Sequence, residues 1–238
     1  SGYNLFAELI DARARILCGY RQGPVPGIGD PAGSQAVMFL GMHAASGSGG
    51  FLAHTLTSRI ACLKLNERHL AEVELFAASL APWGIRPVFF SGCPVACDQA
   101  TAVIENMDCF PIEKSRGPES FDASAWRTAL SQAAVKALSN QKSKPYQPEG
   151  PFEARVTLRQ GRAAAARLAR RWNFEQSGEH IRLQADELDQ LYLALIKLCY
   201  LTPLTARILP LALMAFNLRG RLGIMWARRR LIQLGCLS

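Results

Sequence analysis

Two of the chain's four histidines, His43 and His54, bracket a loop that carries Gly47, Gly49 and Gly50. Imidazole is a neutral nitrogen ligand for zinc and exchanges protons near neutral pH, so this pair has the right atoms for metal binding or proton transfer. Glycines without Cβ atoms let the backbone of such a loop pass close to a bound molecule. Residue type alone also allows a plainer reading, in which each histidine is a hydrogen-bonded structural group, and both readings stay open. Downstream, His69 and Glu72 are three residues apart. A carboxylate in the first turn of a helix is favoured by the helix dipole, so a surface glutamate is the plain reading of Glu72.

The elements that must position these residues follow from hydrophobic periodicity. Short apolar runs over 36–40, 60–65 and 87–91 predict buried strands, and helical patterns occupy 71–80 and 95–104. Their alternation predicts an α/β fold with a mostly parallel sheet flanked by helices, whose ligand sites sit at strand C-terminal ends near Gly41 and Gly92. A further helix is expected over 4–17, then a Gly- and Pro-rich loop over 19–33. The polar, Pro-containing stretch 139–150 reads as a linker. Beyond it, strands at 152–158 and 180–184 and helices at 161–172 and 186–201 predict a smaller α+β unit. The expected domains are therefore 1–140, 151–202 and a basic helical tail over 203–238, broken near Pro210 and Gly220.

Composition excludes several classes. The chain has 238 residues, 49% hydrophobic and 19% charged, which is ordinary for a globular protein. No run reaches the roughly 20 apolar residues of a membrane span. The opening residues lack the pattern of a signal peptide. Seven cysteines (18, 62, 93, 97, 109, 199 and 236) in apolar surroundings read as reduced thiols in a cytoplasmic protein. Cys93 and Cys97 have no second pair with which to complete a zinc cage. The net charge is +8, but Arg207, Arg219, Arg221, Arg228, Arg229 and Arg230 supply +6 of it from a tail without acidic residues. The body is thus near neutral, and nucleic-acid binding is not expected.

The block from Gly41-Met42-His43-Ala44 to His54-Thr55 resembles a motif of the zinc-dependent bacterial D-aminopeptidases. The stretch Leu65-Asn66 through Glu72-Val73-Glu74-Leu75-Phe76-Ala77 resembles the block that follows in that family. The resemblance implies a zinc-dependent hydrolase of small peptides, with His43 and Glu72 as metal ligands and His54 as a nearby acid or base. The departures are specific. The family's Asp-x-Glu-Gly strand, which supplies further ligands, has no counterpart here. Cys93-Pro94 replaces a usual Asp-Asp, Glu74 a glycine, and Phe76 an asparagine.

Three readings accommodate the missing ligands. A separate N-terminal chain brings them and covers an otherwise open sheet edge. Alternatively, the chain is a catalytically degenerate binding or assembly subunit. In the third, Ser1 is an N-terminal nucleophile with its own α-amine as base. The resemblance also implies homo-oligomers. The Arg-rich tail is expected either at an oligomer interface or on an anionic membrane surface, making the protein cytoplasmic or peripheral to a membrane.

Overall fold

The computed structural model describes residues 10–14, 33–113 and 121–233. Ser1 and most of the stretches expected as a helix over 4–17 and a loop over 19–33 lie outside these residues. The chain divides into two compact units, one spanning Asp30–Cys199 and another that contains the C-terminal helices.

Within Asp30–Cys199 the described strands form two sheets. Strands β1 (Ala36–Met42), β4 (Arg86–Gly92) and β5 (Asp108–Cys109) make a parallel sheet in the order β1-β4-β5. A second sheet is antiparallel and contains β2 (Ile60–Leu65), β3 (Arg68–His69), β6 (Phe152–Leu158), β7 (Glu175–Ser177) and β8 (His180–Ala185). Its order is β3-β2-β6-β8-β7. The expected α/β fold with a parallel sheet is present, and the correction concerns β2, which was expected in that sheet and belongs to the antiparallel one. Strand β2 leaves the parallel strands and pairs antiparallel with β6, from Ile60 opposite Leu158 to Leu65 opposite Ala154. The apolar spacing of β2 fits either sheet, because alternation sets which face is buried and not which strand lies alongside.

Helices cover both faces of the parallel sheet. Phe90 faces α1 (Glu72–Leu80) and α2 (Pro94–Val103), in a core with Val73, Ala77, Ala96 and Ala100. The neighbouring Phe89 faces α3 (Ala123–Leu138), with Leu130, Ala133 and Ala137. This opposite placement of successive side chains is the period-two geometry of a strand. Helix α3 is capped by Asp122, whose carboxylate accepts from Ser124 and Ala125 backbone N–H groups at 3.0 and 2.9 Å.

The antiparallel sheet is apolar on one face only. Ile60, Leu63, Val156, Ile181 and Leu183 pack under α4 (Gly161–Trp172) and α5 (Leu188–Tyr200). Glu153 pairs with Arg155 two residues along the same strand and with Arg182 across on β8. The stretch 139–150 has no regular structure but is anchored. The Ser143 hydroxyl, itself buried, donates to the Pro87 carbonyl at 2.6 Å.

Helix α1 belongs to both cores. Val73 and Ala77 pack with the parallel sheet, whereas Leu75 packs with the antiparallel one. Phe76 touches both and meets Tyr192 of α5 edge-on, ring centroids 6.4 Å apart. The N-terminal turn is held by Glu74, only 1% exposed. Its carboxylate accepts from the Ala71 N–H at 3.3 Å, from Arg68 at 2.7 Å and from the Tyr146 hydroxyl at 3.3 Å. Burial and the negative Glu74 push the Tyr146 phenol up to about 12, so it stays protonated and donates.

The other unit contains α6 (Pro203–Arg207) and α7 (Leu209–Gln233). The two are separated at Ile208, next to the break expected at Pro210. Pro210 lies in the first turn of α7, where its missing N–H disrupts no helical bond. Contrary to the expectation of a second break, α7 runs unbroken through Gly220. Among the described residues, no helix is long and apolar enough to cross a membrane.

The Glu74 pair makes an asymmetric prediction. Arg68 is 46% exposed at its side chain, against 2% for Glu74. Arg68→Ala strands a buried carboxylate and should destabilise the protein by about 3–5 kcal/mol. Glu74→Gln keeps the shape and leaves only a solvated arginine, so it should cost about 1–2 kcal/mol. Urea midpoints of the two variants test the order, and a larger loss for Glu74→Gln would contradict it.

Candidate active site

The parallel sheet delivers its first strand directly into the histidine loop. Strand β1 ends at Met42 and His43 follows, so the ring emerges at the strand's C-terminal end, where α/β sheets place their ligand sites. The loop then folds back so that the His54 N–H donates to the Ala44 carbonyl at 3.0 Å. This return brings the His43 and His54 rings to a centroid separation of 4.7 Å, with planes inclined at 41°.

Each imidazole is oriented by a loop carbonyl. His43 Nδ1 lies 3.1 Å from the Phe51 oxygen, and His54 Nδ1 lies 2.7 Å from the Leu52 oxygen. Carbonyl oxygens only accept, so each Nδ1 carries its hydrogen and each neutral ring keeps its lone pair on Nε2. That is how ligating and proton-transferring histidines are fixed in one tautomer. Leu52 and Leu56, two residues either side of His54, have φ of 49° and 62°. Such left-handed backbone costs an L-residue about 1–2 kcal/mol, and strain of this kind concentrates at functional loops.

The loop is closed by a reciprocal pair that sequence reading passed over. The Ser46 N–H donates to Thr55 Oγ1 at 3.0 Å, and the Thr55 N–H donates to Ser46 Oγ at 2.7 Å. Both residues are fully buried. The Thr55 hydroxyl donates onward to the Leu70 carbonyl at 2.8 Å, and Gln99 of α2 accepts from the Ala45 N–H at 2.8 Å. The available sequence signal was Thr55 itself, a short hydroxyl residue directly after a candidate histidine.

Glu72 opens α1, as expected, and is half-buried. One carboxylate oxygen accepts from the Leu56 N–H at 2.8 Å, tying the helix to the backbone two residues past His54. Its charge also reaches α5: burial first, then Glu72, raises Tyr192, and the same causes push the Cys199 thiol up to about 12. His69 lies at the other end of the loop, with Nδ1 3.1 Å from the Ser46 oxygen.

The three glycines have different surroundings. Gly47 has φ of 84°, and a Cβ there would meet Cys62 Sγ and His69 Cε1 at 3.1 Å. At Gly50 a Cβ would come within 2.3 Å of the Ala44 Cβ, whereas Gly49 has nothing within 4 Å. Close approach of the loop to its own protein therefore accounts for Gly47 and Gly50. Cys93 and Cys97 are buried free thiols beneath this region. A hydrogen bond from Cys109 lowers the Cys97 thiol below its ordinary range.

The donor chemistry suits zinc: imidazole nitrogens with fixed tautomers and a carboxylate on one helix turn. The donor number does not. Among the described residues no group of three or more His, Cys, Asp and Glu side chains is placed to hold a metal ion. His43 and Glu72 would be two ligands where zinc normally has three or four from protein.

Gly50→Ala should push Ala44 aside and lower stability by about 1–3 kcal/mol, whereas Gly49→Ala should stay within about 0.5 kcal/mol of the parent. Thermal unfolding of both variants checks this, and equal midpoints would show the loop to be looser than its contacts imply.

No curated relative matches the chain. The fold is similar to that of the Zn-dependent D-aminopeptidase DppA from Bacillus subtilis, a self-compartmentalizing protease. That match has a TM-score of 0.70 and 19% identity, and covers 82% of this chain and 73% of DppA. The D-aminopeptidase family profile matches residues 1–196, most of the chain's length. The chain therefore belongs to the D-aminopeptidase family, a family of metallo-aminopeptidase hydrolases.

Proposed function

We propose that this protein is a zinc-dependent aminopeptidase that hydrolyses short peptides, including those that begin with a D-amino acid. The observation that carries the reading is the paired, tautomer-fixed His43 and His54 at the end of β1. Its family membership supplies the reaction class.

In this reading His43, through Nε2, and Glu72, through its carboxylate, hold the metal. Zinc held there would supply Lewis-acid polarisation of a substrate carbonyl and a water that is nucleophilic at neutral pH. The remaining ligands come from chain outside the described residues, either an N-terminal segment or a separate N-terminal chain. His54 is the acid–base group. Its Nε2 lone pair takes a proton from the attacking water and returns it to the departing amine as the C–N bond breaks. The Leu52 carbonyl on Nδ1 keeps that lone pair directed and steadies the imidazolium that forms in between. The Gly47–Gly50 loop borders the peptide. Homo-oligomeric assembly, as in the self-compartmentalizing DppA, accompanies this function.

Elemental mass spectrometry on the protein with all co-purifying chains retained should find one or two zinc ions per chain. His43→Ala should release them. His54→Ala should keep them and lower turnover of a dipeptide amide by about 10²–10⁴-fold. Absence of zinc after supplementation would replace the reading by that of a degenerate binding subunit. Unchanged turnover in His54→Ala would remove His54 from the chemistry, and activity that persists without metal would move attention to Ser1.

A further inference from the structure

The longest helix of the structure carries an apolar stripe on its exposed side. Leu211, Met214, Leu218, Leu222 and Met225 recur at intervals of three and four residues along α7, so they fall on one side of the cylinder. Each is between 52% and 68% exposed. The row extends about 21 Å at 1.5 Å per residue. Leu213, two residues on from the first member and hence on the opposite side, is buried.

The charges of α7 are placed around this stripe and not away from it. At 3.6 residues per turn, Arg219 and Arg230 project along one border and Arg221 along the other, while Arg229 falls in line with the stripe one turn beyond Met225 and closes its C-terminal end. Arg230 sits over the exposed Trp226 ring, 5.7 Å from its centroid, on the Arg219 border. No acidic residue occurs from Pro203 to the end of the chain. An apolar strip edged on both sides by arginines, with an indole at one edge, matches the boundary between acyl chains and anionic headgroups.

We infer that α7 lies on anionic lipid surfaces, with the Leu211–Met225 stripe entering the acyl boundary and the flanking arginines meeting headgroup phosphates. Charge complementarity selects this occupant. A second copy of α7 laid on the stripe would set arginines against arginines with no carboxylate on the helix to relieve them. A nucleic-acid backbone would satisfy the arginines but leave the five apolar side chains in water. The helix is too polar to cross the bilayer, so the association is peripheral and reversible.

The test is flotation of the full-length protein with phosphatidylcholine vesicles and with vesicles carrying 30% phosphatidylglycerol. Anionic vesicles should bind at least about tenfold more protein, and raising the salt from low to high ionic strength should largely erase the difference. Arg219→Gln with Arg221→Gln should weaken binding about tenfold. Leu218→Ser with Leu222→Ser should abolish it while far-ultraviolet circular dichroism stays unchanged, since both side chains are exposed. Three results would overturn the inference. One is no binding, or equal binding, to the two vesicle types. A second is a change of oligomer size in the leucine variant, by light scattering, without any vesicle binding by the parent. The third is tight binding of duplex DNA that survives in the leucine variant.

Discussion

The site depends on one buried exchange of hydrogen bonds, in which Ser46 and Thr55 each donate a backbone N–H to the other's hydroxyl oxygen. Both residues are wholly removed from water. A buried hydroxyl or amide that loses its partner costs about 1–3 kcal/mol, so opening the loop would strand several such groups together. The loop is accordingly closed whatever occupies its far side. Its closure sets the return of His54 beside Ala44, and that return sets the ring separation from His43. The geometry of the imidazoles is thus a consequence of backbone closure, with the Phe51 and Leu52 carbonyls supplying the final rotation of each ring.

The same constraint passes into the scaffold. Thr55 reaches the Leu70 carbonyl, Leu70 precedes the first turn of α1, and Glu72 in that turn reaches back to Leu56. Helix α1 is in turn fixed by two cores, one under each sheet, and by Glu74 at its N-terminus. A residue held by two cores cannot shift without disturbing both, which is how close packing transmits position. Glu74 and Phe76, two of the positions at which the sequence departs from the family motif it resembles, both serve that junction. Glu74 gathers Arg68 and Tyr146, and Phe76 fills the space between the cores against Tyr192. The departures change what supports the site and leave the histidines untouched.

Much of this was legible in the sequence, for identifiable reasons. The strands around Val37 and Val88 and the helices after Glu72 and Pro94 announce themselves by periodicity, and His43 and His54 by residue type. The partner of β2 did not, because its buried positions read the same beside β1 or beside β6. Helix α3 was invisible because its sheet-facing side is built largely of Ala133, Ala134 and Ala137, whose contrast with polar neighbours is weak. The stretch 139–150 looked like a linker because it is polar, yet Ser143 and Tyr146 bond inward, something composition alone does not reveal. Ser46 and Thr55 were hidden for the same reason. Short polar residues advertise loops, and only three-dimensional proximity distinguishes a buried clamp from a solvated turn.

The incomplete donor set and the well-ordered loop are compatible once their energetics are separated. A structural zinc site contributes folding energy, and its ligand loops lose order without the metal. Here the groups that hold the loop are neutral: amides, two hydroxyls, carbonyls and the apolar floor formed by Ala44, Ala45 and Cys93. The amides, hydroxyls and alanine side chains among them are not zinc ligands, so these bonds hold the loop without calling on a metal. A half-site built in this way presents nitrogen donors already oriented and one carboxylate, Glu72, and what it lacks is further oxygen donors with their negative charge. Adding those carboxylates to this side of the chain would place like charges together, which is unfavourable until a cation arrives. Under the proposed reading, carboxylates brought by another segment would separate the two demands: the loop folds on neutral hydrogen bonds, and the charged ligands would converge on it only where a cation balances them.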